Sequence, residues 1–142
     1  MRVLAGFGVA VSLCLLAGPA MAADDQPSKV ETAKNAAQTW LELVDSKSYD
    51  KSWETAASLL QGAMPKEQWG QAVGSVRGPL GGLVSRNLQS ADYASELPGA
   101  PDGEYVIIRD QTVFENKRSA VETITVRHEQ DQNWKVAGYF IK

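Results

Sequence analysis

Asp110, Thr112 and Glu122 are the residues whose types and spacing suggest chemistry. They lie in "VIIRDQTVF" and "AVETITV", two segments in which apolar and polar residues alternate. That alternation places both carboxylates and the hydroxyl on the face that otherwise carries Val106, Ile108, Phe114, Ala120, Ile124 and Val126. A carboxyl group among apolar side chains holds its proton more tightly and becomes a candidate general base, so Asp110 or Glu122 could move a proton in an isomerase- or hydratase-like reaction. The competing reading is structural: buried carboxylates are usually paired, here with Lys or Arg. Trp53, Trp69, Tyr93 and Thr112 are candidate walls of a ligand pocket, because aromatic rings hold apolar or sugar ligands. Trp40, Trp53, Trp69 and Trp134 all fall on apolar stripes, however, where a core role is the simpler account.

Other chemistry has little to draw on. His128 is the only histidine, and no serine or cysteine motif accompanies it. No dense acidic loop suits a metal, and no cofactor signature is present. "GQAVGSVRGPLGG" contains glycines, but it lacks the lysine and hydroxyl of a phosphate loop and does not follow a strand. Gly70, Gly74 and Gly78 share one helix face instead, where another part of the chain can approach closely.

The elements that must position these residues change character at Leu83. Before it, apolar residues recur every three or four positions and predict three helices. The first begins at Ser28, where Ser28 and Glu31 form a capping box, and carries Val30, Ala33, Ala37, Trp40, Leu41 and Val44. Ser48 caps the second, which carries Tyr49, Trp53, Ala56, Ala57 and Leu60 and ends at Gly62. Pro65 opens the third, with Trp69, Val73 and Val76, and Pro79 ends it.

Beyond Leu83 the period falls to two. Strands are predicted over 85–97, 104–114, 120–129 and 133–142, joined by "PGAPDG", "ENKRS" and "QDQ" as antiparallel neighbours. The expected fold class is α+β, three helices followed by a four-stranded curved sheet. The expected register sets Val106 opposite His128, Ile108 opposite Val126, Asp110 opposite Ile124 and Thr112 opposite Glu122. On the same rule Trp134, Val136, Gly138 and Phe140 join the inner face. Tyr105, Ile107, Val113, Val121, Tyr139 and Ile141 then face outward, more apolar than a solvated face requires, as a candidate interface for a homodimer or a periplasmic protein partner.

The chain opens with Arg2, an apolar run from Val3 to Ala17 and Ala20-Met21-Ala22, the order of a secretory signal peptide over residues 1–22. The expectation is a soluble exported protein, periplasmic or secreted, with a short leader at 23–27 and a single domain at 28–142. Cys14, the only cysteine, goes with the signal and sits in the wrong context for lipid attachment, so packing alone must stabilise the mature chain. Removing 22 of 142 residues leaves 120, with a net charge of about −4 because Arg2 is lost from 14 basic residues against 17 acidic ones. No basic run occurs, which argues against nucleic acid or an anionic membrane as partner.

The blocks "AAQTWLELVDSKSYDKSWETAA", "QW" at Gln68-Trp69, "LPGAPDGEYVIIR" and "NWKVAGYFIK" resemble a secreted bacterial family, domain of unknown function 4019, over about residues 33–142. That family carries no assigned activity. Its helix-then-sheet order is similar to the nuclear-transport-factor-2-like, or cystatin-like, cone, in which a curved sheet wraps a helix and can leave a pocket. The resemblance implies a fold in which ketosteroid isomerases use an aspartate base and in which dimerisation through the outer sheet is common. Fold analogy alone assigns no chemistry.

Overall fold

The computed structural model describes residues 25–142; the signal-peptide reading falls outside them. Helix α1 runs Gln26–Asp45, and its stripe of Ala33, Ala37, Trp40, Leu41 and Val44 is buried as the spacing predicts. Its start differs from the expected capping box. Asp25 is the N-cap, a proline occupies the first turn, and Ser28 already lies inside the helix, its carbonyl accepting the Thr32 hydroxyl. Glu31 instead pairs with Lys34.

The expected second helix is two helices, making four in place of three: α2 over Tyr49–Glu54 and α3 over Ser58–Ala63. The break has a physical cause. Ala57 adopts an extended conformation and donates its N–H to the Val136 carbonyl of the sheet at 2.8 Å, so this segment leaves the helix to pair with a strand. The Gln61 amide then donates to the Glu54 carbonyl and to that of Trp53, which also accepts the Ala56 N–H. Ser48 is the N-cap of α2, but its hydroxyl makes no capping bond. Helix α4 spans Lys66–Leu80 behind an extended Pro65, and Pro79 sits in its last turn. Its glycine face receives α2, with a Tyr49 ring carbon 3.5 Å from where a Gly74 Cβ would stand.

Four strands complete the chain, β1 Leu83–Ala94, β2 Tyr105–Phe114, β3 Lys117–His128 and β4 Trp134–Ile141, in the order β1-β2-β3-β4, antiparallel and open at both edges. The predicted register is two residues out. Val106 faces Val126, Ile108 faces Ile124, Asp110 faces Glu122 and Thr112 faces Ala120. The β2–β3 turn is only Glu115-Asn116, with Phe114 opposite Lys117, so the strands start closer together than the five-residue "ENKRS" loop implied. An even slip leaves every side chain on its face. Val106, Ile108, Phe114, Ala120, Ile124, Val126, Asp110, Thr112 and Glu122 are therefore all buried as expected. The apolar residues at the centre of this face meet α1, Trp69 and Val73 in one core.

β4 overturns the parity argument. Val136 faces Val126 but Gly138 faces Thr125, so Ala137 is an extra residue, a β-bulge. Beyond it the faces exchange: Tyr139 turns inward onto Trp40, ring centroids 5.3 Å apart, Ile141 stands opposite Glu122, and Phe140 is 60% exposed. Tyr105 is also not available to a partner. It is fully buried under the 95–104 loop, its hydroxyl donating to the Pro101 carbonyl at 2.5 Å. Of the expected outer-face residues, Ile107, Val113 and Val121 remain on that face, half-buried.

The exit of α4 is tied to the β2–β3 turn. Gly81, at a left-handed φ of 74°, leaves room for Asn116, whose backbone N–H donates to Leu80 and whose side-chain amide donates to Pro79. Glu115 accepts the Gly82 N–H at 2.9 Å.

Candidate functional site: a cleft above a buried charge network

Glu122 is fully buried and makes four hydrogen bonds. The Thr112 hydroxyl donates at 2.7 Å, Arg86 donates Nε at 2.6 Å and Nη2 at 3.2 Å, and the Tyr139 hydroxyl donates to the other oxygen. Arg86 reaches Glu122 because it stands opposite Thr112 on β1, on the inner face. Its remaining donors go to Asp45 at the end of α1, at 2.8 and 2.9 Å. Arg77 of α4 donates to the same Asp45 at 2.9 Å, reaches the Tyr139 hydroxyl at 3.4 Å and lies over the Phe114 ring at 4.8 Å. Two guanidinium groups thus join α1, α4, β1, β3 and β4 through two carboxylates and a phenol.

This arrangement sets the electrostatics. Burial alone would push the Asp45 carboxyl up, but hydrogen bonds and charge from Arg86 and Arg77 outweigh it and hold the group below the usual carboxylate range. Burial, reinforced by Glu122, pushes the Tyr139 hydroxyl far above its ordinary value. Arg86 stays charged, since its bonds to Asp45 and Glu122 overcome its burial.

Asp110 is different. It sits opposite both Glu122 and Leu88, is 7% exposed, and receives no hydrogen bond from the described residues. Burial raises its pKa, Glu122 adds to the rise, and Arg86 only partly offsets them. Its carboxyl group forms part of the wall of a cleft of about 510 Å³ between α1, β1 and β2. Ala37, Leu41 and Ile108 line the interior, Gln38, Glu42 and Lys34 come from α1, and Asp45 and Arg86 close one end. The β1 rim is apolar and open: Leu83 is 38% exposed, Leu88 51% and Val84 63%.

The other candidates are dispersed. Trp69 is core, its indole N–H donating to the Ser52 hydroxyl at 3.0 Å, while Trp40 donates to the Ser52 carbonyl. Trp53 donates to the Met64 carbonyl at 2.8 Å. Thr112 is committed to Glu122, and the Tyr93 hydroxyl donates to Glu104 at 3.0 Å. None of these four candidate pocket residues, Trp53, Trp69, Tyr93 and Thr112, lines the Asp110 cleft. His128 has Nδ1 2.9 Å from Glu104, which also pairs with Lys29, and its ring lies 5.0 Å from that of Trp134. Among the described residues no group of three His, Cys, Asp or Glu side chains converges in a metal-binding arrangement. None of their helices is long and apolar enough to cross a membrane.

Arg77, Arg86 and Asp45 were absent from the sequence candidates. The signal that points to them is the pairing requirement of Glu122 itself: Arg86 and Leu88 alternate onto the inner face of the neighbouring strand, so a buried Glu122 calls for a cation at Arg86.

Fold and site together define an α+β domain in which an open antiparallel sheet and a long helix enclose a cleft above a buried ionic network. The family described as Protein of unknown function (DUF4019) matches residues 36–139, more than half of the chain, and the chain belongs to that family. No curated protein and no solved structure matches it.

Proposed function

We propose that this is an exported domain that binds a small ligand in the cleft between α1, β1 and β2. The observation that carries the reading is Asp110: its side chain is mostly buried, receives no hydrogen bond from the described residues, and reaches the wall of a half-apolar cleft, where a ligand can supply the missing donor. Helix α1 packs on all four strands and three strand pairings carry bulges, which supports a nuclear-transport-factor-2-like curvature of the sheet around the helix. The test is a fragment screen by ¹H–¹⁵N correlation spectra. Binders should shift the amides of Leu41, Leu88 and Ile108 together; a set of binders that consistently perturbs other regions refutes this location. Export rests on Arg2, the apolar run and Ala20-Met21-Ala22. Fractionation and N-terminal sequencing should find a periplasmic chain beginning at Ala23, and an intact cytoplasmic chain would refute it.

The alternative is an isomerase- or hydratase-like enzyme. The raised pKa of Asp110 favours it as the general base, whereas Glu122 is occupied by Arg86, Thr112 and Tyr139. Incubating a bound fragment with protein in D₂O separates the two readings. Carbon–hydrogen exchange that requires Asp110 is enzyme chemistry; its absence leaves binding. A protein partner or second copy on the outer sheet is supported by Ile107, Val113 and Val121, joined by the exposed Phe140. Light scattering at high micromolar concentration tests the homodimer, which a clean monomer would exclude.

A further inference from the structure

The charges around the cleft do not balance. Asp45, Glu122 and Asp110 are three carboxyl groups gathered against two guanidinium groups, Arg77 and Arg86, with the Tyr139 phenol beside them. On the α1 rim, Lys34 is already paired with Glu31, and Glu42 adds a further carboxylate, so nothing there offsets the interior, which is short of one positive charge. Arg86 cannot supply it, because its Nε, Nη1 and Nη2 are engaged with Glu122 and Asp45. Ala37, Leu41, Ile108 and Leu88 lie in the same cleft and offer an apolar surface.

Building on the cleft reading above, we propose that the ligand is an organic cation, a protonated amine with an apolar body, whose ammonium group donates to the Asp110 carboxylate while its body lies against Leu41, Leu88 and Ile108. The ammonium supplies both missing quantities at once, a hydrogen-bond donor for Asp110 and the third positive charge. A neutral donor supplies only the first. An anion would add a fourth negative group to the cluster. The raised pKa of Asp110 is in keeping with a site whose counter-charge arrives with the ligand.

The experiment titrates the protein with hexylamine, hexan-1-ol and hexanoate, three probes that share an apolar chain and differ in head-group charge, and monitors amide shifts at pH 7. The expected result is saturable binding of hexylamine at the cleft, with a Kd at least about tenfold below that of hexan-1-ol. Asp110→Asn should remove that preference. Asp92→Asn, which alters an exposed carboxylate paired only loosely with Arg109 at 3.8 Å, should retain it. Titration of the unaltered protein provides a second readout that does not depend on a variant folding: hexylamine binding should weaken as pH falls and Asp110 takes up a proton. Binding of hexan-1-ol or hexanoate at the cleft as tightly as hexylamine overturns the cation inference and leaves the cleft reading standing. Failure of all three to shift any cleft amide overturns both.

Discussion

Replacing Glu122 by Gln removes one charge from the buried network and should change the sign of a second mutation. Glu122 accepts from Thr112 at 2.7 Å, from Arg86 at 2.6 and 3.2 Å, and from Tyr139. A glutamine oxygen can keep Thr112 and Arg86 Nε, but its NH₂ must then face Arg86 Nη2, and the Tyr139 hydroxyl must rotate to accept. Breaking one partner out of a buried ion pair costs about 3–5 kcal/mol, and the retained bonds place Glu122→Gln near the lower end. The second mutation is at Asp110. With Glu122 in place, Asp110 carries an unfavourable charge in a buried site, so Asp110→Asn should raise stability at pH 7. Without Glu122, two arginines face Asp45 alone, Asp110 becomes the compensating anion, and Asp110→Asn should lower stability. Urea unfolding of the four variants at pH 7, monitored by tryptophan fluorescence, measures the cycle. The expected coupling exceeds about 1 kcal/mol. An Asp110→Asn effect equal in both backgrounds within about 0.5 kcal/mol would refute electrostatic communication between the two carboxyl groups.

Acid should act through Asp45 and Asp110 in opposite directions. The depressed pKa of Asp45 contributes stability that is complete above its unfolded pKa of about 3.9 and is lost as pH falls through its lower folded value, so Asp45→Asn should flatten the acid limb of the urea midpoint against pH. The raised pKa of Asp110 works the other way: its cost appears as pH rises from about 3.9 through the folded value, and the advantage of Asp110→Asn should vanish below that range. Tyr139 should stay un-ionised while the protein is folded, so alkaline absorbance titration should show a phenol released on unfolding that Tyr139→Phe removes; an unchanged late step in that variant would refute the assignment. Deleting Ala137 should return Phe140 to the inner face and expel Tyr139, at a cost above about 3 kcal/mol in urea unfolding; a loss under about 1 kcal/mol would mean that the bulge does not set the parity.

Periodicity carried most of the fold. The α1 stripe, the change at Leu83 and the inner face of β2 and β3 could all be read from spacing, because one buried face imposes one period. The register is not legible in the same way, because a two-residue slip keeps every side chain on its face and leaves the burial pattern unchanged. What was hidden depended on single residues. Ala137 adds one residue to β4 and reverses Tyr139, Phe140 and Ile141; its mark in the sequence is the adjacent Gly138, which strict alternation reads as one more inner-face position. Ala57 leaves its helix for the carbonyl of Val136, a partner far along the chain that helical propensity does not sense. The polar face positions Asp110, Thr112 and Glu122 were legible, yet their division of labour was not. That division depends on Arg86 and Asp45, which come from a strand start and a helix end.

The knot of bonds at Leu80, Gly82, Glu115 and Asn116 fastens the end of the helical half to a turn in the middle of the sheet. Without it, α4 and the β2–β3 turn would meet only through side chains, and the two halves could loosen separately. With it, the backbone hydrogens of Glu115 and Asn116 are shielded only while both halves are in place. Their exchange with solvent should therefore be governed by disruption of the whole domain, making a surface hairpin turn a reporter of global cooperativity.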